Sequence, residues 1–167
     1  MTALTIRAVT PGDAATIATI YAHHVLHGTA TFDTEPPDDL FWRDKISSMT
    51  GRGWPFVVAE ADGAVIGYAY AAQFRDRQAY CEACEDSIYV AHDALGRGVG
   101  RALLAALIDG AAAAGFREML AVIGGAEPAS VALHSRLGFV ETGRMRNVGI
   151  KFGRRLDTLY MQLSLAD

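Results

Sequence analysis

The chain has 167 residues, 51% of them hydrophobic and 20% charged, with a formal net charge of −4. Such a length buries one proper core, and the acidic balance argues against a general nucleic-acid binder, which carries a basic surplus. Cys81 and Cys84 are the only cysteines, too few for a disulfide framework and suited to a reducing cytoplasm.

No leader-like pattern opens the sequence. Its longest apolar run, ALLAALIDGAAAAGF, is broken by Asp109 and Gly110 and is too short for a bilayer, so no membrane partner is expected. Leu4–Val9 alternates apolar and polar residues and predicts a first strand. Thr10 then serves as a helix cap, with Pro11 in the first turn and Asp13 three residues on. Ile17, Ile20, Tyr21 and His24 share one face of the helix that follows. Pro36-Pro37 interrupts the chain before a second helix, Asp39–Met49. Apolar runs on either side of Asp62-Gly63 predict a hairpin, because that dipeptide accepts positive φ.

Ala79–Val90 reads as the next strand, and Gly98–Ala114 as a long helix ended by Gly115. Arg117–Gly124 is a further strand, and Glu127–Leu137 a short helix closed by Gly138. Two strands finish the chain, Phe139–Met145 and Asp157–Leu165. The order βααβββαβαββ predicts one α/β domain over residues 1–167. Its sheet is antiparallel where strands follow one another and parallel around the strand–helix–strand unit.

LGRGVG sets Gly96, Gly98 and Gly100 at alternate positions ahead of the long helix. The first N–H groups of a helix lack internal partners and carry partial positive charge, and glycines let an anion approach them. Arg97 and Arg101 add full charges, so the pattern suits a pyrophosphate. The spacing is not Gly-x-Gly-x-x-Gly, and no Gly-Lys-Ser/Thr is present, which sets aside dinucleotide and nucleoside-triphosphate loops. A bare glycine triplet also reads as a flexible helix start.

The succession DSIYV, LGRGVGRALL and EPASVALHSRLGF resembles the GNAT superfamily of N-acetyltransferases. TATFDTEP, the AY and EDSIYV of AYCEACEDSIYV, AVIG, VALHSRLGF and VGIKFGRRLD narrow the resemblance to the phosphinothricin or methionine sulfoximine N-acetyltransferase subgroup. The resemblance implies a mixed, mainly antiparallel sheet flanked by helices, with a splayed central parallel strand pair. It also implies acetyl-CoA as co-substrate, no metal, and a homodimer. The residues it assigns to the co-substrate are Ile88, Tyr89 and Val90 on the strand, Gly96, Arg97, Gly98, Val99, Gly100 and Arg101 in the turn, and Glu127 and Ser130 beyond. Two letters depart from the pattern: Leu95 stands where the family has Gln or Arg, and Glu127 where it has Asn.

Acetylation of an amine needs a base, donors for the charge developing on the acyl oxygen, and a proton for the departing thiolate. The resemblance points to Glu85 as base, with Glu82 and Asp86 its nearest rivals, and to the Val90 N–H as the donor. His134 stands where many members carry a tyrosine, and is the candidate for proton transfer. Arg75 and Arg77 could grip a carboxylate, as guanidinium groups do, while Phe32 and Glu35 match the loop that walls the acceptor pocket. Lys151 belongs to a C-terminal loop expected to reach the site of a neighbouring subunit. The implied acceptor is the α-amine of a small amino acid analogue, phosphinothricin or methionine sulfoximine or sulfone. A GNAT enzyme for another amine and a non-catalytic acyl-CoA-binding domain are the rivals. The Cys81/Cys84 pair and the His23/His27 pair do not read as metal sites.

Overall fold

The computed structural model describes residues 3–165. Its strands are β1 (Thr5–Ala8), β2 (Phe56–Ala61), β3 (Ala64–Gln73), β4 (Ala83–Val90), β5 (Glu118–Gly124), β6 (Val140–Lys151) and β7 (Arg154–Ser164). The helices are α1 (Ala14–His27), α2 (Asp39–Gly51), α3 (Val99–Ala113) and α4 (Pro128–Arg136). The order of elements is the one the hydrophobic patterning predicts. The sheet runs β1-β2-β3-β4-β5-β7-β6, and β4 with β5 is its parallel pair.

Side-chain alternation along β4 divides the molecule. Cys84, Ile88 and Val90 pack with Leu103, Leu104 and Leu107 of α3, whereas Tyr89 joins Ile17, Trp42 and Tyr68 beneath α1 and α2. Each fully buried leucine of α3 contributes about 1.5–3 kcal/mol, enough to fix the start of that helix against the sheet.

Two strand limits differ from expectation. The strand predicted from Ala79 begins at Ala83, because Tyr80 and Cys81 direct their N–H groups back to the carbonyls of Arg77 and Gln78 in a single 3-10 turn. Cys81 therefore lies exposed before the strand, and Cys84 is buried within it. The presumed C-terminal loop is instead the tip of a long β6–β7 hairpin, closed by the Lys151↔Arg154 pair. Phe152 and Gly153 both take positive φ there, at 50° and 70°. Asp62 and Gly63 do the same at the β2–β3 turn, at 53° and 75°, as that dipeptide predicts.

Candidate active site

β4 and β5 pair only from Ala83↔Glu118 to Glu85↔Leu120, and then separate. At the two ends of β4, the Ala91 N–H bonds the Ile66 carbonyl and the Ala83 carbonyl accepts from the Phe74 N–H. Odd-numbered residues thus spend their backbone groups on β3, and alternation turns the N–H groups of Ile88 and Val90, beyond the paired stretch, toward the opening. The opening is a cavity of about 750 Å³ lined by Glu85–Val90, the glycine turn, the end of β5 and one face of α4.

At one end of the cavity, Gly98 caps α3 with φ 81°, and Gly96 has φ 73°. A Cβ at either position would meet no atom within 4 Å, so the glycines keep the surface before the helix clear. Gly96, Gly98, Val99, Gly100 and Arg101 all line the cavity, as does Leu95, which is 58% exposed. Arg97 is exposed and not part of the lining.

At the other end, Glu85 is half-buried and its Oε2 lies 3.5 Å from Nη1 of Arg75. Burial pushes the Glu85 carboxyl above the ordinary glutamate range, against the pull of the Arg75 charge. Asp86 projects from the opposite face of the strand and is buried, its Oδ2 3.0 Å from Nε2 of His134. Nδ1 of the same imidazole donates to the Ser130 carbonyl at 2.7 Å. Burial pulls the His134 pKa down, but the Asp86 hydrogen bond and charge, with the Ser130 carbonyl, outweigh it and leave the pKa raised. His134 and Ser130 line the cavity as expected, but both ring nitrogens of His134 are committed. Removing one partner of such a buried pair costs about 3–5 kcal/mol, so His134 holds α4 to β4 and has no nitrogen left free for proton delivery.

The other expected residues divide. Phe32 lines the cavity. Its ring lies against Gly149 of β6, where a Cβ would collide with it, and close to Gly124 of β5, where a Cβ would be crowded by it. Lys151 is engaged within its own chain: it is 4% exposed, and its Nζ donates to the Thr31 carbonyl at 2.8 Å. Tyr21 fixes the same loop, its hydroxyl donating to Asp33 at 2.6 Å and lying 2.7 Å from the Thr31 hydroxyl. Glu35 is exposed outside the cavity lining, and Arg77 lines a separate shallow depression with Arg75, Asp76 and Tyr80. Glu127 stands at the N-cap of α4 without a side-chain capping bond, and it too lies outside the cavity lining.

The sequence reading missed three contributors. His24 lines the cavity and donates from Nε2 to the Val90 carbonyl at 2.8 Å. In the sequence Asp86 stands out only as a rival base, and Gly149 only as a letter of a motif. The i, i+4 position of His24 relative to Ile20 carried a signal for burial, but none for its bond to β4.

Comparisons with known proteins bear on the fold and the family. The family model described as an acetyltransferase (GNAT) domain matches residues 6–160. A phosphinothricin N-acetyltransferase from Alcaligenes faecalis is 46% identical, over 98% of this chain and 83% of its own length. An L-methionine sulfoximine/L-methionine sulfone acetyltransferase from Salmonella typhimurium is 39% identical, over 97% of this chain and 95% of its own. The crystal structure of a phosphinothricin acetyltransferase from Sinorhizobium meliloti in complex with AcCoA superposes with a TM-score of 0.95 at 48% identity, covering 98% of this chain and 89% of that one. With its fold, its opened central strand pair and these full-length matches, the chain belongs to the GNAT family of acetyltransferases.

Proposed function

We propose that residues 1–167 form one acetyl-CoA-dependent N-acetyltransferase domain. It moves the acetyl group directly onto the α-amine of a small amino acid analogue such as phosphinothricin or methionine sulfoximine or sulfone. The observation that carries this reading is the open edge of β4. Its outward N–H groups face a cavity bounded by the α3 N-terminus at one end and half-buried Glu85 at the other.

These residues fit acetyl-CoA, which supplies an activated acetyl thioester when bound. The unpaired N–H groups of α3 and the Arg101 charge suit a pyrophosphate, and the bare surface of Gly96 and Gly98 leaves room for it. Ile88 and Val90, on either side of Tyr89, offer the strand edge for an extended chain with amide groups. The Val90 N–H faces the developing charge on the acyl oxygen, and one such preorganised donor contributes about 10²–10³-fold in rate. Glu85 takes the amine proton, and its raised pKa brings it nearer the range in which a general base works at neutral pH.

Arg75 grips the acceptor carboxylate. Its pairing with Glu85 at 3.5 Å is half-exposed, worth no more than about 1 kcal/mol, and it yields readily to an arriving carboxylate. Such a cation argues against a polyamine acceptor. Phe32 walls the acceptor side, and His134 positions Asp86 and α4. The acetyl group passes without a covalent stop on cysteine: Cys84 is buried and its thiol pushed up to about 12, and Cys81 lies outside the cavity lining.

The enzyme works as a cytoplasmic homodimer. In support, the described cysteines are free, and no described helix is long and apolar enough to cross a membrane. The edge strand β6 exposes Val140, Met145, Val148 and Ile150, an apolar edge of the kind that proteins cover.

The test offers phosphinothricin, methionine sulfoximine, methionine sulfone and spermidine to the purified protein with acetyl-CoA and follows free thiol. Thiol release with the amino acids and not with spermidine is expected. Measurable acetyl-CoA binding with no thiol release from any amine would sink the enzymatic reading.

A further inference from the structure

A second cation stands near Glu85, on α2 and outside the cavity lining. Lys45 lies on the same face of α2 as Phe41, one helical turn apart. Its Nζ sits 4.4 Å above the ring of Tyr70 and 5.7 Å from the ring of Phe41. The side chain is half-buried, and among the described residues no carboxylate lies within ion-pair distance of its ammonium.

Tyr70 pairs with Ser87 across β3 and β4, and Ala72 pairs with Glu85. Tyr70 and Glu85 are therefore diagonal neighbours on one face of the sheet, about 7–8 Å apart at their backbones. The Lys45 ammonium thus overhangs the face from which Glu85 projects, and its charge reaches that carboxyl, favouring the ionised form. Arg75 flanks Glu85 on the strand side, 3.5 Å away. The base stands near two cations. One of them is held by an aromatic face and lacks a counter-ion, although a partly desolvated ammonium is stabilised by one.

We propose that Lys45 is a specificity-determining residue that receives a second anionic group on the acceptor, at the end remote from the carboxylate held by Arg75. This rests on the acceptor class proposed above and divides it. Phosphinothricin carries a phosphinate anion on its side chain, whereas methionine sulfone carries a neutral sulfone at a similar distance from the amine. Lys45 favours the first.

The experiment compares kcat/KM for L-phosphinothricin and L-methionine sulfone in the wild-type protein, Lys45→Met and Lys45→Arg. The ratio between the two substrates is read for each, so a general loss of folded protein cancels. Lys45→Met should lower the phosphinothricin-to-sulfone ratio at least about tenfold, the scale of one charge-assisted hydrogen bond, chiefly through the KM for phosphinothricin. Lys45→Arg should retain most of the ratio, and added salt should erode it in the wild type more than in Lys45→Met. An unchanged ratio in Lys45→Met overturns the assignment while leaving the acetyltransferase reading standing. If the wild type turns over neither amine, the acceptor reading itself falls and takes this assignment with it.

Discussion

The two ends of the cavity are made of different material. The end at α3 comes from one run of chain, Leu95–Arg101, and presents mainly backbone: two glycines at positive φ and the first N–H groups of a helix. The end at Glu85 gathers side chains from distant segments. Glu85 and Arg75 come from β4 and the loop after β3, Phe32 from the loop after α1, and Lys151 and Gly149 from β6 to hold that loop. A backbone-built end tolerates changes of side chain, which is how Leu95 can stand where the family has a polar residue, but it admits no added bulk. A side-chain-built end depends on identities, and on contacts that fix each group from outside the cavity.

The largest expected effect is at the second end. Glu85→Gln should lower kcat by about 10²–10⁴-fold, the usual contribution of a positioned base, with the KM for acetyl-CoA nearly unchanged. Glutamine cannot take a proton, so the variant relies on amine that is already neutral. Its deficit should be greatest at low pH and shrink as pH climbs toward the amine's own pKa. In the wild type, the acid limb of kcat/KM should lie above the ordinary glutamate range. Arg75→Ala should move it higher still, because the Arg75 charge favours the carboxylate. A pH-independent deficit in Glu85→Gln would count against the base.

Gly98→Ala tests the backbone-built end. The new Cβ points into the space that the glycine leaves open, and should raise the KM for acetyl-CoA about 10–100-fold, the loss of one hydrogen bond to a charged group. The KM for the acceptor should barely move. Alanine at φ 81° also strains the helix cap, costing about 1–2 kcal/mol. A thermal melt separates that loss from the change in binding. An unchanged KM for acetyl-CoA removes the phosphate assignment.

The contrast between the two ends also explains what the sequence made legible. The glycine turn is local: alternate glycines, flanking arginines and an apolar helix say in seven letters what the structure builds. The β2–β3 hairpin was equally readable, since Asp62-Gly63 is standard chemistry for a turn with positive φ. The β6–β7 turn uses Phe152-Gly153 for the same conformation. Phenylalanine carries no such signal, so the sequence alone suggests a loop at this turn. Asp86 and His134 are 48 residues apart, and no periodicity reports that a strand and a short helix will bring them to 3.0 Å. The separation of β4 and β5 after Glu85 came only through resemblance.

Gly149→Ala probes the support behind the side-chain-built end. The added methyl collides with the Phe32 ring and should displace it from the cavity wall. The acceptor KM should rise about tenfold, within the cost of a small misplacement near reacting groups, while the KM for acetyl-CoA is spared. Gly149→Ala combined with Phe32→Ala should lose little more than Phe32→Ala alone, since both remove the same wall. Additive losses would show that Gly149 acts elsewhere.

The smallest effect is the pH-dependent part of the stability supplied by the pair that holds α4 to β4. The raised pKa of His134 in the folded protein means that its contribution to stability is complete below the unfolded value, about 6.5, and is lost as pH rises through the folded value. Urea unfolding of the wild type and His134→Gln at a series of pH values from mildly acidic to alkaline should therefore give a difference in stability that narrows with rising pH. Titration of the other four histidines (His23, His24, His27 and His92) is common to both proteins and cancels in that difference. Asp86→Asn should remove the narrowing as well, because the carboxylate sustains the imidazolium. A difference that stays flat across the series would mean that the Asp86–His134 contact holds α4 to β4 as a neutral hydrogen bond, with no charge to lose.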